Sequence, residues 1–187
     1  AISQISSQAM IAHTEWLAGS SLNWIGLVLN IDGTNAIGVH FTHLGYGEEE
    51  VTTVSQPEGT GENWSASDIA IGLTYARSLT DRFSIGGSMK YIQQKIWHET
   101  SNAIAFDVGL LFTTDFNGMK LGMSISNFGT EMRMDGKELL KQIDVDLQTI
   151  GHNETIVGTL KTDNWPLPLF FRVGVAMDVI KTRSTIW

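Results

Sequence analysis

The chain contains no cysteine, which removes disulfide frameworks, thiolate metal sites and cysteine nucleophiles from consideration. Basic residues are also few, 12 against 20 acidic ones. The resulting net charge of −8 argues against a nucleic-acid binder, which needs a basic face. No apolar run reaches the roughly 18 residues of a membrane-spanning helix. The two best candidates, "AIAFDVGLLF" and "LPLFFRVGVAMDVI", are interrupted by Asp107 and by Arg172 and Asp178. A helical membrane protein is therefore excluded, whereas one built from strands is not. The opening "AISQISSQAM" lacks the basic start and apolar stretch of a signal peptide, so the chain is expected to begin after processing or inside a longer protein.

Catalytic signatures are missing too. There is no G-x-S-x-G and no S-x-x-K. "GTGENW" (59–64) has loop-like flanks and no helix after it, so it is no dinucleotide fingerprint. His40 and His43 lie three apart on an extended segment and face opposite ways, and His13, His98 and His152 fall in or near loops. "DVD" (144–146) lacks the spaced carboxylates of a calcium loop. The expectation is a protein that is not an enzyme, with no catalytic residues, no metal and no cofactor.

What the chain has instead is alternation. In "IAFDVGLLF", Ile104, Phe106, Val108, Leu110 and Phe112 share one face, and Ala105, Asp107 and Gly109 share the other. The same two-faced pattern recurs in "NAIGVHFT", "DIAIGLTYARSL", "RFSIGGSMKY", "MKLGMSISN" and "LFFRVGVAMDV", and more weakly in "SLNWIGLVLNI" and from Gln8 to Leu17. That predicts an all-β chain of about eight antiparallel strands in one domain spanning residues 1–187. Short turns are predicted at Asp32-Gly33, Thr80-Asp81 and "DFNG" (115–118). Longer links are predicted at 47–65, at "HETSN" after Trp97, and at 129–166. Alternating short and long connections characterise outer-membrane barrels.

A soluble strand would carry Lys, Glu and Thr opposite its core. Here the bulky wall faces lipid, and the small and charged residues face a lumen. Phe83 to Tyr91 covers about 26 Å along the strand and about 20 Å after a tilt near 40°, close to an apolar band of about 25 Å. Arg77 shares the lipid face but lies beside a short turn, where its guanidinium can snorkel. The lumen-side ionisable residues are Asp68, Lys90, Asp107, Lys120, Arg172 and Asp178. They fill the interior by pairing across it, or line a polar path for a solute, or form a docking surface for an internal plug. If the protein works through partners, the long loops are the contact surface, with Glu48, Glu49, Glu50, Trp64 and Trp165 as the residues to watch.

Four stretches carry a resemblance over nearly the whole chain: "HTEWLAG" (13–19), "VTTVSQPEGTGENWSASDIAIGLTYARSLTDRFSIGGSMKYIQQKIWHE" (51–99), "GMKLGMSISNFGTEMRMDGKELL" (118–140) and "DNWPLPLFFRVGVAMDV" (163–179). They look like the PorV/PorQ family of outer-membrane barrels from Bacteroidota and related Gram-negative bacteria. The resemblance implies a fatty-acid-transporter-like barrel of about fourteen strands, of which the eight seen here form the middle part. The domain is then incomplete at both ends. It also implies a role in type IX protein secretion, with the translocon barrel or the C-terminal signal domains of cargo as partners. The alternative, by fold analogy, is an outer-membrane channel or transporter for a hydrophobic or small solute.

Overall fold

A computed structural model describes residues 6–116, 118–143 and 156–177. Among them the chain is all-β. Seven strands follow one another: β1 (Gln8–Glu15), β2 (Ser21–Asn30), β3 (Asn35–Glu50), β4 (Asn63–Thr80), β5 (Phe83–Ile96), β6 (Glu99–Thr113) and β7 (Lys120–Gly129). After β7 come the two-residue β8 (Asp135–Gly136), the pair β9 (Leu140–Ile143) and β10 (Ile156–Thr159), and finally β11 (Phe170–Ala176). The main sheet is an antiparallel meander in the order β1-β2-β3-β4-β5-β6-β7-β11, with β8 attached to β6; β9 and β10 form a separate hairpin. Among the described residues the sheet does not close on itself, since there β1 pairs only with β2 and β11 only with β7.

The eight strands of that path are those the alternation predicted, but several are longer than their apolar stretches. β3 continues through Glu50 and β4 begins at Asn63, because polar residues pair backbone to backbone as readily as apolar ones once both faces are hydrophilic. The link between them therefore shrinks to residues 51–62. The "HETSN" link is corrected more sharply. Glu99 to Asn102 are strand residues paired with Gln93 to Ile96, and only Trp97 and His98 make the turn, Trp97 at φ 51°. Residues 129–166, read as a plain link, hold β8, a 3-10 turn at Lys137–Leu139 and the β9–β10 hairpin.

The short turns are chemically closed. Asp32 accepts backbone hydrogen bonds from Thr34 (2.9 Å) and Asn35 (2.6 Å), while Gly33 takes φ 76°. Thr80 Oγ1 accepts from the backbone N–H of Arg82 and Phe83. Thr114 donates to the Met119 carbonyl across the third turn, and Arg82 pairs with Asp115, tying two turns of this end together.

Register carries the two-faced pattern across the whole sheet. One outward row runs Ile11, Ile25, Phe41, Ile71, Tyr91, Ile104 over β1 to β6. Another runs Leu29, Ile37, Tyr75, Gly87, Val108, Ile125, Phe171 over β2 to β7 and β11. These side chains are open: Leu73 is 61% exposed, Val108 55% and Phe171 68%. Inward rows read Gly26, His40, Gly72, Lys90, Ala105 and Ala36, Ala76, Gly86, Gly109, Ser124, Arg172. The buried residues of the strands, Gly26, Ala36, Gly72, Ser84, Ser101, Ala103 and Ala105, all belong to this inner face. The fourth buried apolar side chain, Met132, comes from the segment after β7. Close packing here depends on small residues: a Cβ at Gly72 would collide with the imidazole of His40.

Candidate functional site

The inner face is where the predicted polar residues gather, though not as one network. Lys90 on β5 and Asp107 on β6 lie in adjacent inward rows, and Lys90 Nζ stands 2.8 Å from Asp107 Oδ1. Their side chains are only 13% and 26% exposed. The β6–β7 register shifts here, so that Ser126 and Asn127 together oppose Asp107. Asn127 takes φ 65°, a conformation that asparagine tolerates better than most residues. The bulge turns its backbone N–H onto Asp107 Oδ1 (2.8 Å), and its side-chain oxygen accepts from Lys90 Nζ (2.5 Å). Asn127 thus hydrogen-bonds both members of the ion pair, support that a poorly solvated pair needs.

Asn127 also faces the other way. Its Nδ2 donates to the carbonyl of Pro168 at 3.0 Å, anchoring a strap that crosses the inner face. The strap is a ribbon of two segments, 130–134 and 160–169. Met132 and Trp165 exchange both backbone hydrogen bonds (2.8 and 3.0 Å), Thr162 Oγ1 donates to the Met134 carbonyl, and Asn164 donates to Glu131. A cavity of about 310 Å³ separates this ribbon from the sheet. Leu44, Asp68, Ile92 and Gln94 line it from the strands, and Trp165 and Leu167 from the strap. At the far side of the strap, His98 meets Glu138 (3.0 Å) and Glu99 accepts from the Glu138 backbone (2.8 Å).

The other predicted lumen residues stand apart from the Lys90–Asp107 pair. Asp68 accepts a hydrogen bond from the Tyr46 hydroxyl at 3.0 Å and forms no ion pair among the described residues. Arg172 lines the same inner groove as Asp107, a groove of about 680 Å³ walled by Thr74, Ser88, Gly109 and Ser124, and its guanidinium sits 4.9 Å over the Phe170 ring. Lys120 opens β7 at the short-turn end and is exposed. Asp178 lies outside the described residues.

The predicted loop residues are placed differently from expectation. Glu48, Glu49 and Glu50 belong to β3, in register with Ser65, Trp64 and Asn63 of β4, so they ride on a paired strand extension rather than a free loop. Trp64 lines a second cavity, about 300 Å³, with Tyr46, Ala66, Asp68 and Met134. Trp165 is half-buried and folded over the inner face, not presented outward. Sequence reasoning missed Asn127, Tyr46 and Met132. For Asn127 a signal existed: the outward residues Ile125 and Phe128 are three apart, where strict alternation needs two or four. For Tyr46 and Met132 none did.

Among the described residues no three His, Asp or Glu side chains gather into a metal-binding group. No helix there is long and apolar enough to cross a membrane, which says nothing of strands. Comparison with protein-family models, curated proteins and solved structures finds no match.

Proposed function

We propose that this chain is part of an outer-membrane β-barrel of the PorV/PorQ type, seated in the outer membrane of a Gram-negative bacterium and not acting as an enzyme. Its work is to bind other proteins in type IX secretion: the translocon barrel, the C-terminal signal domains of cargo, or both. The observation that carries the membrane part is the outward face. Its apolar rows run across neighbouring strands, interrupted at Gly87, and in water each exposed Val, Leu, Ile or Phe forfeits part of the ~1.5–3 kcal/mol that full burial would yield. Lipid removes that cost. The polar ends fit the same picture: the Tyr91 hydroxyl donates to Asn102 at one end of the belt, and the Tyr75 hydroxyl to Asn35 at the other.

Partner binding is supported by the end that carries the longer connections. There the β3–β4 extension bears Glu48, Glu49 and Glu50, and the strap fills part of the interior instead of leaving it free for passage. A second reading, a channel for a small or hydrophobic solute, is favoured by one feature, the groove of about 680 Å³ along the inner face. The test is a gentle detergent extraction of the native membrane with the tagged full-length protein, followed by identification of what co-purifies. Recovery of a large translocon barrel, or of cargo sharing a C-terminal domain, supports the binding role. A barrel recovered alone, whose conductance changes on substituting Lys90, Asp107 or Arg172, supports the channel. Exclusively aqueous fractionation, with no change in gel mobility on boiling, overturns both.

A further inference from the structure

We infer that Asp68, with the aromatic side chains beside it, forms a receptor for an ammonium group carried on an aliphatic stem, the group a lysine side chain of a partner polypeptide would present. The partner as the source rests on the function proposed above; the chemistry of the site does not. The inner-face carboxylates differ in one respect. Asp107 has its cation in Lys90, whereas half-buried Asp68 has, among the described residues, only the Tyr46 hydroxyl. A carboxylate partly withdrawn from water and without a cation is costly, and a bound cation offsets that cost.

Asp68, with its cross-strand neighbour Gln94, is also where two cavities meet. Above it the cavity of about 300 Å³ offers the rings of Tyr46 and Trp64, whose faces attract cations. Below it the cavity of about 310 Å³ is walled by Leu44, Ile92, Trp165 and Leu167, an apolar surface suited to a methylene stem. The backbone is shaped for this. Between the pairs Gly45–Ser67 and Glu48–Ser65, Tyr46 and Gly47 together oppose Ala66, and Gly47 takes φ 82°. The bulge leaves Tyr46 on the inner face, in reach of Asp68, while the following glutamates change parity. The approach is acidic: residues 45–66 hold Glu48, Glu49, Glu50, Glu58 and Glu62 and no Lys or Arg, a field that concentrates cations. Lys95 borders the upper cavity as well and makes no ion pair with Asp68.

The experiment needs no partner. The full-length protein in lipid nanodiscs is titrated with Nα-acetyl-lysine amide and, separately, with Nα-acetyl-norleucine amide, which keeps the stem and loses the charge. Binding is read by saturation-transfer NMR. The lysine probe is expected to bind at least about tenfold more tightly than the norleucine probe, with Asp68→Asn abolishing the difference and Asp68→Glu keeping most of it. Should Asp68→Asn fail to fold, as judged by gel mobility without boiling, Tyr46→Phe and Trp64→Ala serve instead, each weakening the lysine probe about threefold or more. Equal binding of the two probes, or equal lysine binding in wild type and these variants, overturns the inference. Such a failure leaves the membrane and partner reading untouched, and a failed co-purification leaves the pocket measurement standing.

Discussion

Leu73 and Thr74 are neighbours in the chain and opposites in environment. Leu73 stands outward between Val39 and Met89, all three exposed. Thr74 points inward, between Gly38 and Ser88, and its hydroxyl shares a 2.8 Å hydrogen bond with Ser88. The same contrast repeats along every long strand, and it inverts the usual arrangement of a one-sided sheet, in which bulky residues meet in a core and small polar ones meet water. In water a sheet so built would leave its bulky face exposed. Its inner face offers little apolar bulk, because the buried residues of its strands are alanines, serines and glycines, and its bulky outer face stands exposed among the described residues.

The comparison breaks most visibly where, among the described residues, the inner face carries a paired charge. Asp107→Ala removes the anionic partner of Lys90 and the acceptor of the Asn127 backbone N–H together. The expected loss is about 3–5 kcal/mol, read as a shift in the urea midpoint of the protein folded in lipid. Lys90→Met combined with Asp107→Leu should recover most of it, since the cost comes from an uncompensated charge and not from the lack of a pair. If the double variant is no better than the single one, the bulge geometry at Asn127 is what Asp107 protects.

The next largest effect belongs to the outer face and tests lipid directly. Leu73→Arg, in the middle of an exposed apolar row, is expected to cost about 2–4 kcal/mol in a bilayer, and Leu79→Arg near the short turn only about 0–1 kcal/mol. In a water-facing sheet both would be neutral or favourable, so the gradient separates the environments. Thr74→Val, one residue from Leu73, is expected to cost about 1 kcal/mol through the lost Ser88 hydrogen bond, with no dependence on bilayer thickness. Matching effects at Leu73 and Thr74 would mean the two faces do not see different solvents.

These features differ in how visible they were before the structure. Alternation reads directly as strands, so the eight-stranded path was legible from residues such as Ile104 to Phe112, and register then turned separate stripes into continuous rows. The polar strand extensions were not legible. At Glu48–Glu50 and Glu99–Asn102 neither face is apolar, so nothing distinguishes a paired strand from a loop until the partner strand is present. Pairing between Lys90 and Asp107 follows from their inward parity, but Asp68 has the same parity and lies elsewhere along the sheet. The strap was hidden for a further reason. Met132 and Trp165 meet through backbone bonds made across 33 residues, and no local pattern encodes a contact of that kind.

The smallest expected effect lies at the short-turn end, outside both faces. Asp32 is held below its ordinary carboxylate range, first by the Asn35 backbone N–H, then by the Asn35 side-chain amide and the Thr34 N–H, with Arg77 adding attraction. A carboxyl whose pKa is lowered on folding stabilises the folded state above its unfolded value, near ~4, and that contribution disappears as pH falls through the lower folded value. Asp32→Asn keeps much of the shape and loses the charge. It should therefore lower the urea midpoint slightly at pH 7, with the gap to wild type narrowing as the pH drops below about 4. A turn outside the bilayer predicts the same narrowing in thin and thick bilayers. A gap that instead varies with lipid would place Asp32 inside the apolar belt and move the boundary drawn at Tyr75 and Asn35 toward the turn.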